Sequence, residues 1–233
     1  MFGVFAFACD NRKAESVAEA PQTPDSAEAK RAEGDPSPQA PANQAPVAAG
    51  ARASVGKPAP SFKLKNLEGS EVSLADYRGK IVVLEWFNPE CPFVKASHTK
   101  GSLKKLAEQH HGKSDVAWLA VNSGGEGRQG FGLETNREAA TRWSLPHPVL
   151  LDDTGSVGKA YGATNTPHMF IVDRQGILVY KGAIDNSPDG EGGAAPDGKL
   201  VNYVSRALGE LEAGKAVSVP ETKAYGCSVK YAG

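Results

Sequence analysis

Cysteine is scarce in this chain. Its 233 residues include three, Cys9, Cys91 and Cys227. That is too few for a disulfide scaffold, and their spacings match no zinc motif. An excess of one charge is also missing. The formal net charge is −1, without the basic surplus that phosphate binding requires, so a nucleic-acid role is excluded. No apolar run reaches the ~18 residues of a membrane-spanning helix. Large apolar side chains are absent from one stretch. Asp10 to Gly56 contains no Leu, Ile, Met, Phe, Trp or Tyr and only three Val. Such a segment cannot bury enough apolar area to offset its chain entropy, so residues 10–54 read as a disordered linker. The rest of the chain is long enough for one well-packed domain.

The first nine residues, Met1 to Cys9, are apolar and end in a small residue before a cysteine. They read as part of a secretory segment. They resemble the lipobox of bacterial lipoproteins, which implies lipidation of Cys9, although Ala6 replaces the usual Leu and no basic region precedes it. The alternative is a short apolar start with an incidental cysteine. Pro21, Pro24, Pro36, Pro38, Pro41 and Pro46 recur along the linker among Ala, Glu, Asp and Ser. A flexible chain of that length reaches roughly 35–40 Å, enough to hold a domain off a bilayer. The localisation expected is therefore the bacterial cell envelope, on its periplasmic side. In an oxidising compartment a disulfide is permitted, so Cys91 and Cys227 could be partners.

The remaining sequence alternates strand and helix patterns. Ser61–Lys65 and Glu71–Leu74 flank a turn and read as a hairpin. Lys80–Phe87 is a nearly continuous apolar run, as in a strand buried on both faces. A helix is expected from Pro92 to about His111, since Pro suits the first helical position. Val116–Val121 reads as a second buried strand. A Gly-rich loop (124–132), a helix (135–143), a short strand (149–151) and a short helix (156–161) follow. Met169–Asp173 and Ile177–Lys181 form a second hairpin, and Leu200–Ala213 an amphipathic helix. This order implies an α/β fold around a mixed sheet.

Cys91 falls between the central strand and the helix that begins at Pro92. Unpaired N–H groups and the positive end of the helix dipole favour a thiolate there. As N-cap, Cys91 would leave the amides of Phe93 and Val94 free to point at sulfur. Lys95, one turn on, would add positive charge. The alternative is a half-buried structural cysteine.

Four segments carry a family resemblance: Gly56–Leu64, Leu74–Lys80, Trp86–Pro92, and Thr166-Pro167 before Met169–Asp173. In this order they resemble a thioredoxin-fold redoxin of the alkyl hydroperoxide reductase/thiol-specific antioxidant superfamily, which includes peroxiredoxin-like proteins. The resemblance implies a thioredoxin-like domain over residues 55–214, with an N-terminal β-hairpin and a C-terminal extension, 215–233, carrying Cys227. It implies Cys91 as the redox-active thiol. It implies Glu85 as a buried carboxylate that relays protons, its pKa raised by desolvation, and Lys95 as an accompanying cation. Thr166 would offer its backbone to an extended thiol-bearing partner, with Pro167 cis. Trp86, Asn88 and Pro92 belong to the active-site turn and are expected beside the substrate.

Two positions depart from the family pattern. Val94 replaces the second cysteine of Cys-x-x-Cys, making this a single-cysteine Cys-Pro-Phe-Val variant. Asn88 stands where peroxiredoxins place Thr or Ser, although its amide can still hydrogen-bond a peroxide. An activating arginine is unassigned between Arg142 and Arg174. Cys227, after Gly226, is a candidate resolving thiol if the tail folds back over Cys91. The alternative is an exposed or structural cysteine.

Other signals are weaker. Gly125–Gly130 fits a dinucleotide-binding string but lies in mid-domain, outside the expected βαβ unit. His110-His111 ends a helix, where imidazolium meets the dipole. His98 lies two turns from Cys91, too far to share a metal ion. His168 follows Pro167 and could approach Cys91. The Asp185–Gly198 stretch lacks calcium-ligand spacing.

The sequence therefore reads as a thiol-dependent oxidoreductase acting on a disulfide or peroxide. It needs a thiol or disulfide protein or a peroxide as substrate, an external thiol reductant and no cofactor. Its only membrane contact would be a lipid on Cys9. The alternative is a non-catalytic thioredoxin-fold binding or metal-carrier module.

Overall fold

The computed structural model describes residues 52–110, 113 and 115–232. Cys9, the linker up to residue 51, and His111 lie outside them.

The central strand is β3 (Ile81–Trp86), with all six residues buried. Each large apolar side chain so placed gains about 1.5–3 kcal/mol over exposure. β3 runs parallel to β4 (Val116–Asn122) and antiparallel to β7 (His168–Val172), with Trp86 facing Val121 on one side and His168 on the other. β1 (Lys63–Asn66), β2 (Glu71–Ser73), β5 (Val149–Leu151) and β8 (Leu178–Gly182) complete a mixed sheet of order β2-β1-β5-β4-β3-β7-β8. The fold is thus α/β around a central mixed sheet, with the expected N-terminal hairpin at its edge.

Strand alternation sorts β3 onto two faces. Val82, Leu84 and Trp86 pack with Phe62, Tyr161 of α4 (Ser156–Tyr161) and Phe170. Ile81 and Val83 pack with Leu103 and Leu106 of α2 (Ser102–His110) and with Val204 and Leu208 of α5 (Tyr203–Glu212). A third cluster joins Cys91, Phe87 and Val94 to Ala139 of α3 (Leu133–Arg142) and to Trp143.

Three features differ from the sequence expectation. The long helix is two helices, α1 (Pro92–Thr99) and α2, parted at Lys100 and Gly101. Both amides bond back to the Ala96 carbonyl at 2.9 Å, and a Cβ at Gly101 would collide with the Gly190 carbonyl oxygen. The C-terminal helix starts later, at Tyr203, because the Asn202 side chain accepts from Ser205 N–H and caps it. Finally, a second, two-stranded sheet exists. β6 (Asn165–Thr166) pairs antiparallel with β9 (Cys227–Ser228), with Thr166 facing Cys227.

Candidate active site

Cys91 ends the turn after β3 and is the N-cap of α1. Pro89 breaks the strand, and Pro92 at the first helical position has no N–H to leave unpaired. The Cys91 carbonyl accepts from Lys95 N–H at 3.0 Å, and its own N–H donates to Asn88 O at 3.1 Å. The sulfur does not take the helix amides, since Cys91 makes no side-chain capping bond. Instead the thiol donates to the Thr166 carbonyl, with Sγ and O 3.1 Å apart. It also lies 2.8 Å from Cys227 Sγ. Both cysteines are unlinked. Cys91 has 0% exposure.

The partners come from chain segments far apart in sequence. Thr166-Pro167 is cis and stands beside the end of β3. Pairing of β6 with β9 brings Cys227 across from Thr166. Gly226 has φ +98°, and a Cβ there would strike the Thr166 carbonyl oxygen. Glycine is thus the residue that lets the tail approach so closely. Burial, above all, pushes the Cys227 thiol up to about 11, assisted by the hydrogen bond to Cys91 and by charge on that sulfur.

Glu85 is fully buried, as expected, but its charge state is not the one anticipated. Burial alone would raise its carboxyl. The charge and hydrogen bond of His98, the charge of His147 and the Trp118 indole outweigh this and hold it below the usual carboxylate value. His98 Nε2 is 2.8 Å from Glu85 Oε1, and Trp118 Nε1 donates to Oε2 at 3.4 Å. The His98 ring also stacks on Trp143, 5.9 Å between centroids. His98 was the residue the sequence reading missed. Its spacing after Cys91 suited no metal, yet it puts an imidazole over a carboxylate in the neighbouring strand.

Other expected site residues sit differently. Trp86 is fully buried in the core, its Nε1 donating to Ser123 Oγ at 3.0 Å, so it packs rather than meets a substrate. The Asn88 amide is engaged at both ends, accepting from Glu90 N–H at 2.9 Å and donating to Gln129 O at 3.2 Å. Lys95 and Pro92 are exposed on the first turn of α1. His168 does not approach Cys91. It is buried, lies 4.5 Å from the Phe170 ring and accepts from Thr164 N–H through Nδ1 at 3.3 Å. Burial, with Lys181 nearby, lowers its pKa to about 4. Neither arginine reaches the thiol. Arg174 pairs with Asp115 at 2.9 Å, and its carbonyl bonds Gly79 at the far end of β3. Arg142 pairs with Glu138 on the exposed face of α3.

A mixed sheet, a cysteine opening a helix at the end of its central strand and a cis X-Pro bond opposite define a thioredoxin-like fold. The chain belongs to the Redoxin family, whose profile matches residues 54–196. It is similar to the thiol-disulfide oxidoreductase ResA of Geobacillus thermodenitrificans, 34% identical over 123 residues, covering 52% of this chain and 65% of that protein. It thus spans less than two thirds of that relative. Peroxiredoxin-2 of Bos taurus is 29% identical over 136 residues, covering 54% of this chain and 67% of that one. The solved structure of an uncharacterized conserved protein from Geobacillus kaustophilus superposes with a TM-score of 0.67 at 32% identity, over 77% of this chain and 93% of that one.

Proposed function

We propose that this redoxin is a thiol–disulfide oxidoreductase whose redox couple is Cys91 and Cys227. The observation that carries the reading is the 2.8 Å separation of their sulfurs beside the Thr166 carbonyl. Cys91 lies at the helix start with its sulfur beside that of Cys227. As a thiolate it attacks one sulfur of a substrate disulfide. The substrate S–S bond breaks, a mixed disulfide forms, and the other substrate sulfur leaves as thiolate. Cys227 then attacks Cys91 Sγ, loses its proton and displaces the second substrate sulfur. The substrate gains two electrons and the chain becomes the Cys91–Cys227 disulfide. An external thiol reductant returns it to the dithiol.

The raised pKa of Cys227 supports its second place in this sequence. A thiol protonated at neutral pH is a poor initiator but can resolve a sulfur already held beside it. The engagement of the Asn88 amide by Glu90 and Gln129 supports disulfide over peroxide, because the amide is already bonded. Lys95 adds charge at the helix start, and the Glu85–His98 pair holds α1 against β3. An envelope-side location through a lipid on Cys9 belongs to the same proposal, since a dithiol–disulfide couple can cycle where disulfides persist.

The test is turnover of a model protein disulfide by the reduced chain. Cys91→Ser abolishes it, whereas Cys227→Ser accumulates the mixed disulfide on Cys91. Accumulation of the mixed disulfide on Cys227 in the Cys91→Ser variant would contradict the assignment.

A further inference from the structure

Residues 225–232 cover the attacking sulfur as a strap. Val229 N–H donates to Thr164 O at 3.0 Å, Gly125 N–H to Lys230 O at 2.8 Å and Tyr231 Oη to Ala163 O at 2.8 Å. Yet its ladder to β6 is only two residues long, and a two-stranded pair of that size is marginal by itself. None of its residues is fully buried. A terminal segment without a fully buried residue opens locally more readily than the core strands. It nonetheless leaves Cys91 with 0% exposure, so a partner disulfide cannot reach the sulfur while the strap is seated. The strap also leaves something undone: Thr166 Oγ1 is buried without a hydrogen-bond partner among the described residues.

We propose that the strap is an exchangeable occupant of a strand-docking edge, and that the partner is an extended polypeptide segment presenting a cysteine disulfide preceded by glycine. This deepens the proposed function and rests on Cys91 as the attacking thiol. The occupant's form is read from the strap. It lies antiparallel, with its cysteine across from Thr166. The residue before that cysteine has positive φ and no room for a Cβ against the Thr166 carbonyl. Docking of a strand on an open edge takes its affinity from main-chain bonds and its specificity from side-chain positions. Strap and partner therefore take turns. The partner displaces the strap, Cys91 attacks its disulfide, and the returning strap carries Cys227 to Cys91 and ejects the reduced partner. The strap is at once gate and release device.

The probe is the peptide Ala-Tyr-Gly-Cys-Ser-Val with its cysteine held as a mixed disulfide to thionitrobenzoate. Attack by Cys91 on the peptide sulfur forms the Cys91–peptide disulfide and expels thionitrobenzoate, which absorbs light. The full reduced chain is compared with Gly226→Val and, as an independent strap lesion, Tyr231→Ala. Adducts are mapped to Cys91 by mass spectrometry. Both variants should form the adduct about tenfold faster, Gly226→Val through the clash with the Thr166 carbonyl and Tyr231→Ala through the lost bond to Ala163, and should hold it longer. In them, the peptide with Val before Cys should react more slowly than the Gly peptide. Equal rates in all three proteins, with Cys91 still labelled by the small disulfide dithiobis(nitrobenzoate), would overturn the strap proposal alone. So would equal rates for the Gly and Val peptides. Failure of both reagents to label Cys91 in any of the proteins would overturn the assignment of Cys91 itself.

Discussion

His98 Nε2 lies 2.8 Å from Glu85 Oε1, with both side chains closed off from solvent. The pair joins the helix that begins at Cys91 to the strand that precedes it. Removing one member leaves the other buried and uncompensated, which costs about 3–5 kcal/mol. Glu85→Ala is therefore expected to lower urea stability by about that much at neutral pH. The pH dependence follows from the depressed carboxyl. A depressed acid contributes stability above its unfolded value of 4.5, and that contribution is lost as pH falls through the lower folded value. Glu85→Gln should thus be less stable than the parent at pH 7, with the gap narrowing below pH 4.5.

His168 also resists protonation in the folded chain, but at a higher pH. Its folded pKa of about 4 against 6.5 means the unfolded chain binds a proton that the folded chain refuses. Stability is complete above pH 6.5 and is lost as pH falls towards 4, by about 3 kcal/mol at the 1.36 kcal/mol per pH unit of a single group. His168→Gln should flatten urea-unfolding stability over that window. An unchanged slope would contradict a neutral, buried imidazole.

Asn88 separates a scaffolding role from a substrate role. Asn88→Ala leaves the Glu90 N–H and the Gln129 carbonyl without their side-chain partner, a loss of about 1–3 kcal/mol. Stability should fall while the ratio of peroxide to disulfide turnover stays constant. A selective loss of peroxide turnover would make the amide a substrate ligand.

Cys227 should alkylate only at high pH. Its midpoint in the reduced chain is expected near 11, against the ordinary 9.0. Burial is the largest cause, and Cys91 supplies the next two. Cys91→Ala should therefore return the midpoint part of the way towards 9.0. A midpoint of Cys227 indifferent to residue 91 would mean that the two sulfurs do not share an environment in solution.

Local patterns carried most of the fold and the first half of the site. The apolar run before Asn88, the Cys91-Pro92 junction and Thr166-Pro167 are each written in a few consecutive residues. What was illegible is non-local. Gly101 looks like one weak position in a helix, and only the Gly190 carbonyl packed against it shows why the helix stops. Periodicity cannot announce β6 and β9, which are two residues each. Burial argued for a raised Glu85 pKa, and the reversal came from His98 on another element. Trp86 was read by its nearness to Cys91 in sequence, whereas strand alternation turns its ring into the core.

The central claim is a two-electron couple between Cys91 and Cys227. Its most direct test equilibrates the full reduced chain with oxidised dithiothreitol, quenches it in acid, alkylates the remaining thiols and maps the digested peptides. The expected result is one cross-linked pair joining the Cys91 and Cys227 peptides, formed within a single chain. Separate alkylation of both cysteines, or linkage of Cys91 to another chain, would contradict it.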